Sequence, residues 1–336
     1  MPKGGARLRP RKHHLPGILP AWHSAAAPLY LRIPHYCGVF GLAPDRKPII
    51  LGSMRILIFL AMTATLLADP LPLTLRSRSK ADGAIVEKAQ TWDTKKTAII
   101  ICDMWDDHWC KSASRRVTEL AGPMNAMLKA ARAKGIFIIH APSSVTDFYK
   151  DTPQRKLAEA APFAKTPVPL ATAPRWGTMW CWTDPKHEEV LPVDDTDMGC
   201  SCTDRKCEII PPWKRQHPLI ELMEGDALTD DGQETWNLLT VRKIDNVILC
   251  GVHLNMCVLG RPFAIRQQVY LGKNVAFMRD LTDSMYNPER PPGVDHFTGH
   301  DLIIAHVEKH WCPSFTSDAL TGSKAFRFQE DTRTVK

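Results

Sequence analysis

Two continuous apolar runs constrain this chain more than any other feature. Thr97 to Cys102 reads TAIIIC, and Asn246 to Gly251 reads NVILCG. Runs of this length without polar alternation suit strands buried on both faces, as in a parallel sheet. Helical spacing follows the first run, with Val117, Leu120, Ala121, Met124, Met127, Leu128 and Ala131 on one face of a helix over 115–134, which Gly135 stops. Ile136 to Ile139 reads as a second strand ending at His140, and 153–163 as a short helix. Further on, Leu219 to Met223 reads as a strand, and Asp230-Asp231 open a helix through Arg242. A helix over 255–270 is restarted or kinked at Pro262. Asn274 to Met278 is a strand ending at Arg279-Asp280, and 298–309 is a helix. Strands alternating with helices predict an α/β fold, a mostly parallel sheet covered on both faces. Such sheets bind ligands at the carboxyl ends of their strands, where Asp103, His140 and the 251–257 turn fall.

The rest of the chain divides by composition. The formal charge of +7 resides wholly in residues 1–53, which carry eight basic residues and the single acid Asp45. The remainder is balanced, so it offers no basic footprint and no nucleic-acid partner is expected. Residues 54–69 read MRILIFLAMTATLLAD. A membrane span needs about 20 apolar residues and a secretory h-region roughly 7–15. This run is therefore read as a signal peptide over 54–68 starting at Met54, with 1–53 as a non-structured or mis-called extension and 69–96 as a lead-in. The export destination is periplasmic or extracellular, and no membrane span is expected in the mature form. The globular domain covers 97–317, with an aperiodic insertion rich in Pro, Trp, Asp and Cys over 164–213. A polar tail covers 318–336.

Cys257 follows a buried strand and the tight Gly251-Val252 turn, and it opens a helix. A helix N-terminus lowers a thiol's pKa and offers N–H groups to a developing oxyanion. Asp103 ends the first strand, where a carboxylate can take the thiol proton and later return it. Each residue alone also suits a plain structural role, a buried cysteine or a capping aspartate. Asp106 and Asp107 are assigned to capping. Cys102 and Cys250 sit in apolar runs and read as core. Trp105, Trp109, Trp176, Trp180, Trp182 and Trp213 cluster around the first loop and the insertion. They serve either as an aromatic lid or simply as packing for a long insertion. The stretch VDDTDMGCSCTDRKCE holds three cysteines and four aspartates, donors suited to zinc or calcium, but C-x-C-x4-C lacks a clear fourth thiolate, so in an exported protein a disulfide-closed surface loop is the favoured expectation.

AIIICDMWDDHW resembles the strand-to-loop segment of isochorismatase-like hydrolases. NVILCGVHLNMCVLGRPFAIRQQVYLGKNVAFMRDLTDSMYNP resembles their nucleophile segment. Together with the element order, the resemblance covers about 98–316. It implies a three-layer α/β/α sandwich and a catalytic triad of Asp103, a lysine and Cys257. By spacing the lysine is Lys214, with Arg215 as a substitute that could not act as an acid or base. Trp105, His140, His253 and Asn255 are the expected substrate-binding residues; the bland reading of His253 and Asn255 is that they satisfy the turn's backbone. The Asp-x-His pattern of metal-binding relatives does not occur after His140, so neither a catalytic metal nor a cofactor is expected.

The implied activity is hydrolysis of a small molecule, favouring C–N amide cleavage through a thioester on Cys257. Isochorismatase-type vinyl-ether hydrolysis and a catalytically inactive exported scaffold are the alternatives. Homo-oligomerisation is left open, since a neighbouring subunit can complete such a pocket. The mature protein is expected to begin near Asp69, and removal of 1–53 to change neither folding nor secretion. N-terminal sequencing of native protein checks this, and residues before 54 in the mature chain would refute it.

Overall fold

The core strands form where the apolar runs lie. In the computed structural model, which describes residues 70–175 and 178–334, β3 (Thr97–Cys102), β4 (Phe137–Ala141) and β8 (Asn246–Val252) are buried along their whole length. β3 lies between β4 and β8, parallel to both, with Ile101 opposite His140 and Cys102 opposite Gly251. Two short strands and a long one extend this centre in parallel: β7 (Ala227–Leu228) beside β4, β9 (Asn274–Asp283) beside β8, and β10 (Ser314–Phe315) beside β9. An antiparallel hairpin of β1 (Pro70–Arg78) and β2 (Ile85–Asp93) completes an eight-stranded sheet in the order β2-β1-β10-β9-β8-β3-β4-β7.

The period of two along β3 divides the core. Ile99 and Ile101 face one apolar layer with Val117, Leu120, Met124 and Leu128 of helix α1 (Lys111–Ala133). Ala98, Ile100 and Cys102 face the other layer. That layer holds α3 (Gly232–Val241), α4 (Cys257–Gly260), α5 (Ile265–Tyr270) and the Ile303–Val307 face of α6 (His296–His310). Full burial of each of these isoleucines contributes roughly 1.5–3 kcal/mol. The result is a three-layer α/β/α sandwich. The shorter helices α2 (Pro153–Glu159) and α7 (Asp318–Thr321) flank it. No described helix is long and apolar enough to cross a membrane.

Several sequence expectations change. Leu219–Met223 is not a strand, and the strand of that region is β7. The helix expected over 255–270 is two short helices, broken where Arg261 and Pro262 leave the helical path. The lead-in 69–96 supplies β1 and β2. The polar tail is docked, with the Phe328 ring stacked on Phe297 and Asp280 accepting from the backbone N–H groups of Ser317 and Phe326. The 164–213 insertion is mostly irregular, with one small hairpin of β5 (Ala173–Arg175) and β6 (Thr178–Trp180). The signal-peptide and extension assignments for 1–68 lie outside the described residues.

Gly251 sets the closest approach between β8 and β3. Its φ is +101°, and a Cβ there would lie 2.1 Å from the Cys102 carbonyl oxygen. Neither the dihedral nor the space admits a side chain. Gly251→Ala should therefore destabilise the fold by at least about 2 kcal/mol, lowering the urea midpoint without changing the m-value. An unchanged midpoint would show that this approach is not required.

Candidate active site

At the carboxyl end of β3 the chain turns through Asp103, whose φ is +48°. A non-glycine residue in this region is uncommon and is found where the surroundings fix it. The surroundings here are specific. The Asp103 N–H extends the ladder to the Ala141 carbonyl, and Oδ1 accepts from the Ser143 backbone N–H at 2.7 Å. Asp103 is fully buried, and Oδ2 faces Nε of Arg261 at 3.5 Å.

Cys257 begins α4 at the end of the turn that Gly251 starts, and it is buried beside the same pair. Arg261, four residues on, caps that single helical turn by donating its backbone N–H to the Cys257 carbonyl. Its guanidinium donates to Thr178 Oγ1 at 2.6 Å and lies 4.9 Å from the Trp180 ring centre. Burial, then the Asp103 carboxylate, push the Cys257 thiol well above its ordinary pKa, while Arg261 opposes them. The resting residue is thus a neutral thiol. The thiolate-favouring helix terminus expected from sequence does not prevail, because α4 is one turn long. The N–H groups of Met256 and Val258 are both spent on the His253 carbonyl.

Lys214 is exposed, and its backbone N–H binds Asp106. The structure does not bring it to Cys257 or Asp103; the cation beside that pair is Arg261. The sequence reading missed Arg261; the signal that could have found it is its place four residues after Cys257, one turn of helix away.

Cys257 and Arg261 line a cleft of about 510 Å3 with Trp105, His108, Trp213 and His253 among its walls. Trp105 stacks on Trp213 with centroids 4.3 Å apart, and its Nε1 donates to the Ser143 carbonyl. His253 is in the wall, buried, with Nε2 lacking a hydrogen-bond partner. Asp103 Oδ2 and Arg261 Nε are likewise buried without a hydrogen bond of good geometry. Trp176 lies outside the described residues, and Trp180 and Trp182 line a neighbouring cavity of about 710 Å3.

The other two expected binding residues do not line this cleft, although Asn255 lines the neighbouring cavity. His140 Nδ1 faces Gln216 Oε1 at 3.0 Å and Nε2 faces Asp226 at 3.2 Å, so both ring nitrogens are engaged away from the cleft. Asn255 is tied to Asp195, the Met285 carbonyl and the Met285 N–H, where it braces the insertion against the loop after β9. The sequence reading missed His108. It also missed the buried knot behind it, in which Asp283 pairs with Arg116 Nε at 2.7 Å and His296 Nε2 at 2.9 Å. Among the nine cysteines of the described residues none is in a disulfide. Cys102 and Cys250 are core residues as expected.

No model of a known protein family and no curated protein matches the chain. Solved structures do. It is similar to a cysteine hydrolase from Pseudomonas syringae pv. phaseolicola, at 16% identity over 69% of this chain and 93% of that one, with a TM-score of 0.41. It is similar to an isochorismatase from Pseudomonas putida, at 12% identity over 68% and 91%, with a TM-score of 0.39. A ribonuclease from Caenorhabditis elegans matches at 16% identity over 68% and 83%, with a TM-score of 0.35.

Burial lowers the pKa of His108 to about 4 and that of His253 well below its ordinary value. His108 Nδ1 accepts from the Cys110 N–H, which places the neutral ring's proton on Nε2. In the unfolded chain both groups titrate near 6.5. Below that pH the unfolded chain binds protons that the folded chain refuses, so stability falls as pH drops from about 6.5 toward 4. At roughly 1.4 kcal/mol per pKa unit, His108 contributes on the order of 3 kcal/mol to this loss. Urea midpoints at pH 7 and 4.5 should therefore converge in His108→Asn relative to the parent chain. An equal fall in both would show that His108 titrates freely in the fold.

Proposed function

We propose that the chain is a hydrolase of the isochorismatase-like kind, cleaving a small-molecule C–N amide through a thioester on Cys257. The observation that carries this reading is that Cys257 and Arg261 line an aromatic cleft with the buried Asp103 carboxylate directly behind them, 3.5 Å from Arg261, at the carboxyl ends of adjacent parallel strands. The order of the two matching sequence segments supports it.

The neutral thiol decides the mechanism. As sulfur attacks the amide carbon, its proton passes to the Asp103 carboxylate. Asp103 then gives that proton to the leaving nitrogen, and the C–N bond breaks to leave the thioester and a free amine. Water, deprotonated by Asp103, then attacks the thioester carbon, the C–S bond breaks, Asp103 returns the proton to sulfur and the carboxylic acid leaves. Arg261 takes no part in proton transfer, because a guanidinium stays charged. It stabilises the Asp103 carboxylate before attack and the negative charge that develops beside it. The Trp105–Trp213 stack continues onto the neutral His108 ring, which meets His253 edge-on, and this aromatic array suits a mostly apolar substrate.

A second reading rests on the same protonated thiol. A vinyl ether needs a proton donor but no covalent sulfur, so Cys257 would then only line the site.

Cys257→Ala should abolish amide turnover, and Asp103→Asn should cost roughly 10²–10⁴-fold. Arg261→Gln should slow both turnover and alkylation of Cys257, since it removes the cation that favours the thiolate. Lys214→Ala should leave both unchanged. Rates on an amide panel across pH, with mass-spectrometric trapping of the acyl-enzyme, measure all four. An active Cys257→Ala moves the reading to ether hydrolysis. Loss of activity on Lys214→Ala alone would mean that Arg261 is not the triad's cation.

A further inference from the structure

We propose that Cys110, Cys200, Cys202 and Cys207 form a four-thiolate site for a structural zinc ion, which fastens the 164–213 insertion to the start of α1. The inference is independent of the activity proposed for Cys257. The loop's C-x-C-x4-C spacing provides three thiols, and the fold adds Cys110, the residue before α1, from ninety residues upstream. The sulfurs of Cys110 and Cys200 are 2.9 Å apart, those of Cys110 and Cys202 3.9 Å, and those of Cys202 and Cys207 3.4 Å. Cys110, Cys200 and Cys202 all lie within 4.8 Å of one another. A tetrahedral zinc with bonds of about 2.3 Å sets its sulfurs about 3.8 Å apart. The three separations bracket that value, and Cys207, 3.4 Å from Cys202 but outside the mutually close group of three, would close onto the ion as the fourth ligand.

The groups around the sulfurs fit thiolates rather than two disulfides. Cys202 Sγ accepts hydrogen bonds from both the backbone N–H and the hydroxyl of Ser112, each at 3.2 Å. A metal-bound thiolate retains acceptor strength for such donors, and outer partners of this kind orient and stabilise metal ligands. Pairing Cys110 with Cys200 and Cys202 with Cys207 would leave the 3.9 Å contact between the pairs without a purpose. Zinc displaces the four thiol protons and leaves a net charge of −2 on the cluster, with no oxidation or reduction. That charge faces the N-terminus of α1, a helix of 23 residues. Arg115 also faces it, donating to Ser112 Oγ, and so does Arg205, whose charge interacts with Cys202 and Cys207.

The position gives the ion a task. Met198 precedes the cluster and Ile209, Pro211 and Trp213 follow it, and all four line the Cys257 cleft, as does Trp109 beside Cys110. The ion would clamp this wall, which has almost no regular secondary structure of its own.

The test is metal analysis of the full chain prepared under reducing conditions with zinc supplied. One zinc per chain is expected, retained in Cys257→Ser and lost from Cys200→Ser and Cys202→Ser. Cobalt(II) should give the sulfur-to-metal charge-transfer and intense d–d bands of a tetrahedral thiolate site in the parent chain, a readout that does not depend on the variants folding. A metal-free chain with two disulfides, or zinc retained in both cluster variants, would overturn the proposal. So would cobalt uptake without thiolate bands.

Discussion

A carboxylate buried without contact with water at the end of a central strand is the constraint around which this molecule is arranged. Taking the Asp103 charge out of solvent costs several kcal/mol unless partners surround it. Those partners come from separate parts of the chain. The β4 loop supplies the Ser143 N–H, and the end of α4 supplies Arg261. Arg261 is in turn held by Thr178 and Trp180 of the insertion. Removing either member of the Asp103–Arg261 pair would leave the other charged and buried, typically a loss of about 3–5 kcal/mol. The placing of Asp103 beside Cys257 and the seating of the insertion are therefore aspects of one electrostatic requirement. The left-handed Asp103 backbone and the glycine at 251 are the local conformations that meet it.

The pair also explains why burial of the thiol is compatible with chemistry. A cysteine with a depressed pKa would be a standing thiolate, reactive toward any oxidant or electrophile that reached it. Here the thiol is held neutral by burial and by Asp103. In the proposed mechanism ionisation is coupled to attack, because the carboxylate that disfavours the thiolate is also its proton acceptor. Arg261 compensates part of that disfavour without offering a proton of its own.

The sequence was legible where chemistry and burial coincide locally. TAIIIC and NVILCG became central strands because a run that is apolar after its first residue has no solvent face to present, and the turns after them brought Asp103 and Cys257 together. It was illegible where the deciding partner is distant. Lys214 has a plausible spacing but lies in a segment whose backbone follows Asp106, which turns its side chain to solvent. Arg261 lay within the matched segment, yet its selection depends on Pro262 ending α4 there. Cys110 drew no reading from the sequence, and only the fold sets it against Cys200. The 70–93 hairpin went unread because only alternate residues of β1 are buried and β2 is largely exposed at the sheet edge.

The insertion shows how irregular chain can be made to hold a site. It lacks the backbone ladder that fixes the sheet, so its position depends on a few buried polar anchors. Glu188, buried, pairs with Arg266 and accepts from His306 and Trp311, joining the insertion to α5 and α6. Cys181 donates its N–H to the Gly260 carbonyl, and the Trp180 ring occupies the space that a side chain at 260 would need. Asn255 ties Asp195 to the loop after β9, and the cysteine cluster ties 200–207 to α1. Each anchor joins the insertion to a different element of the sandwich, so a displacement relieved at one is resisted at the others. A cleft wall fixed in this way can keep a substrate in register over Cys257, although most of its residues belong to no helix or strand.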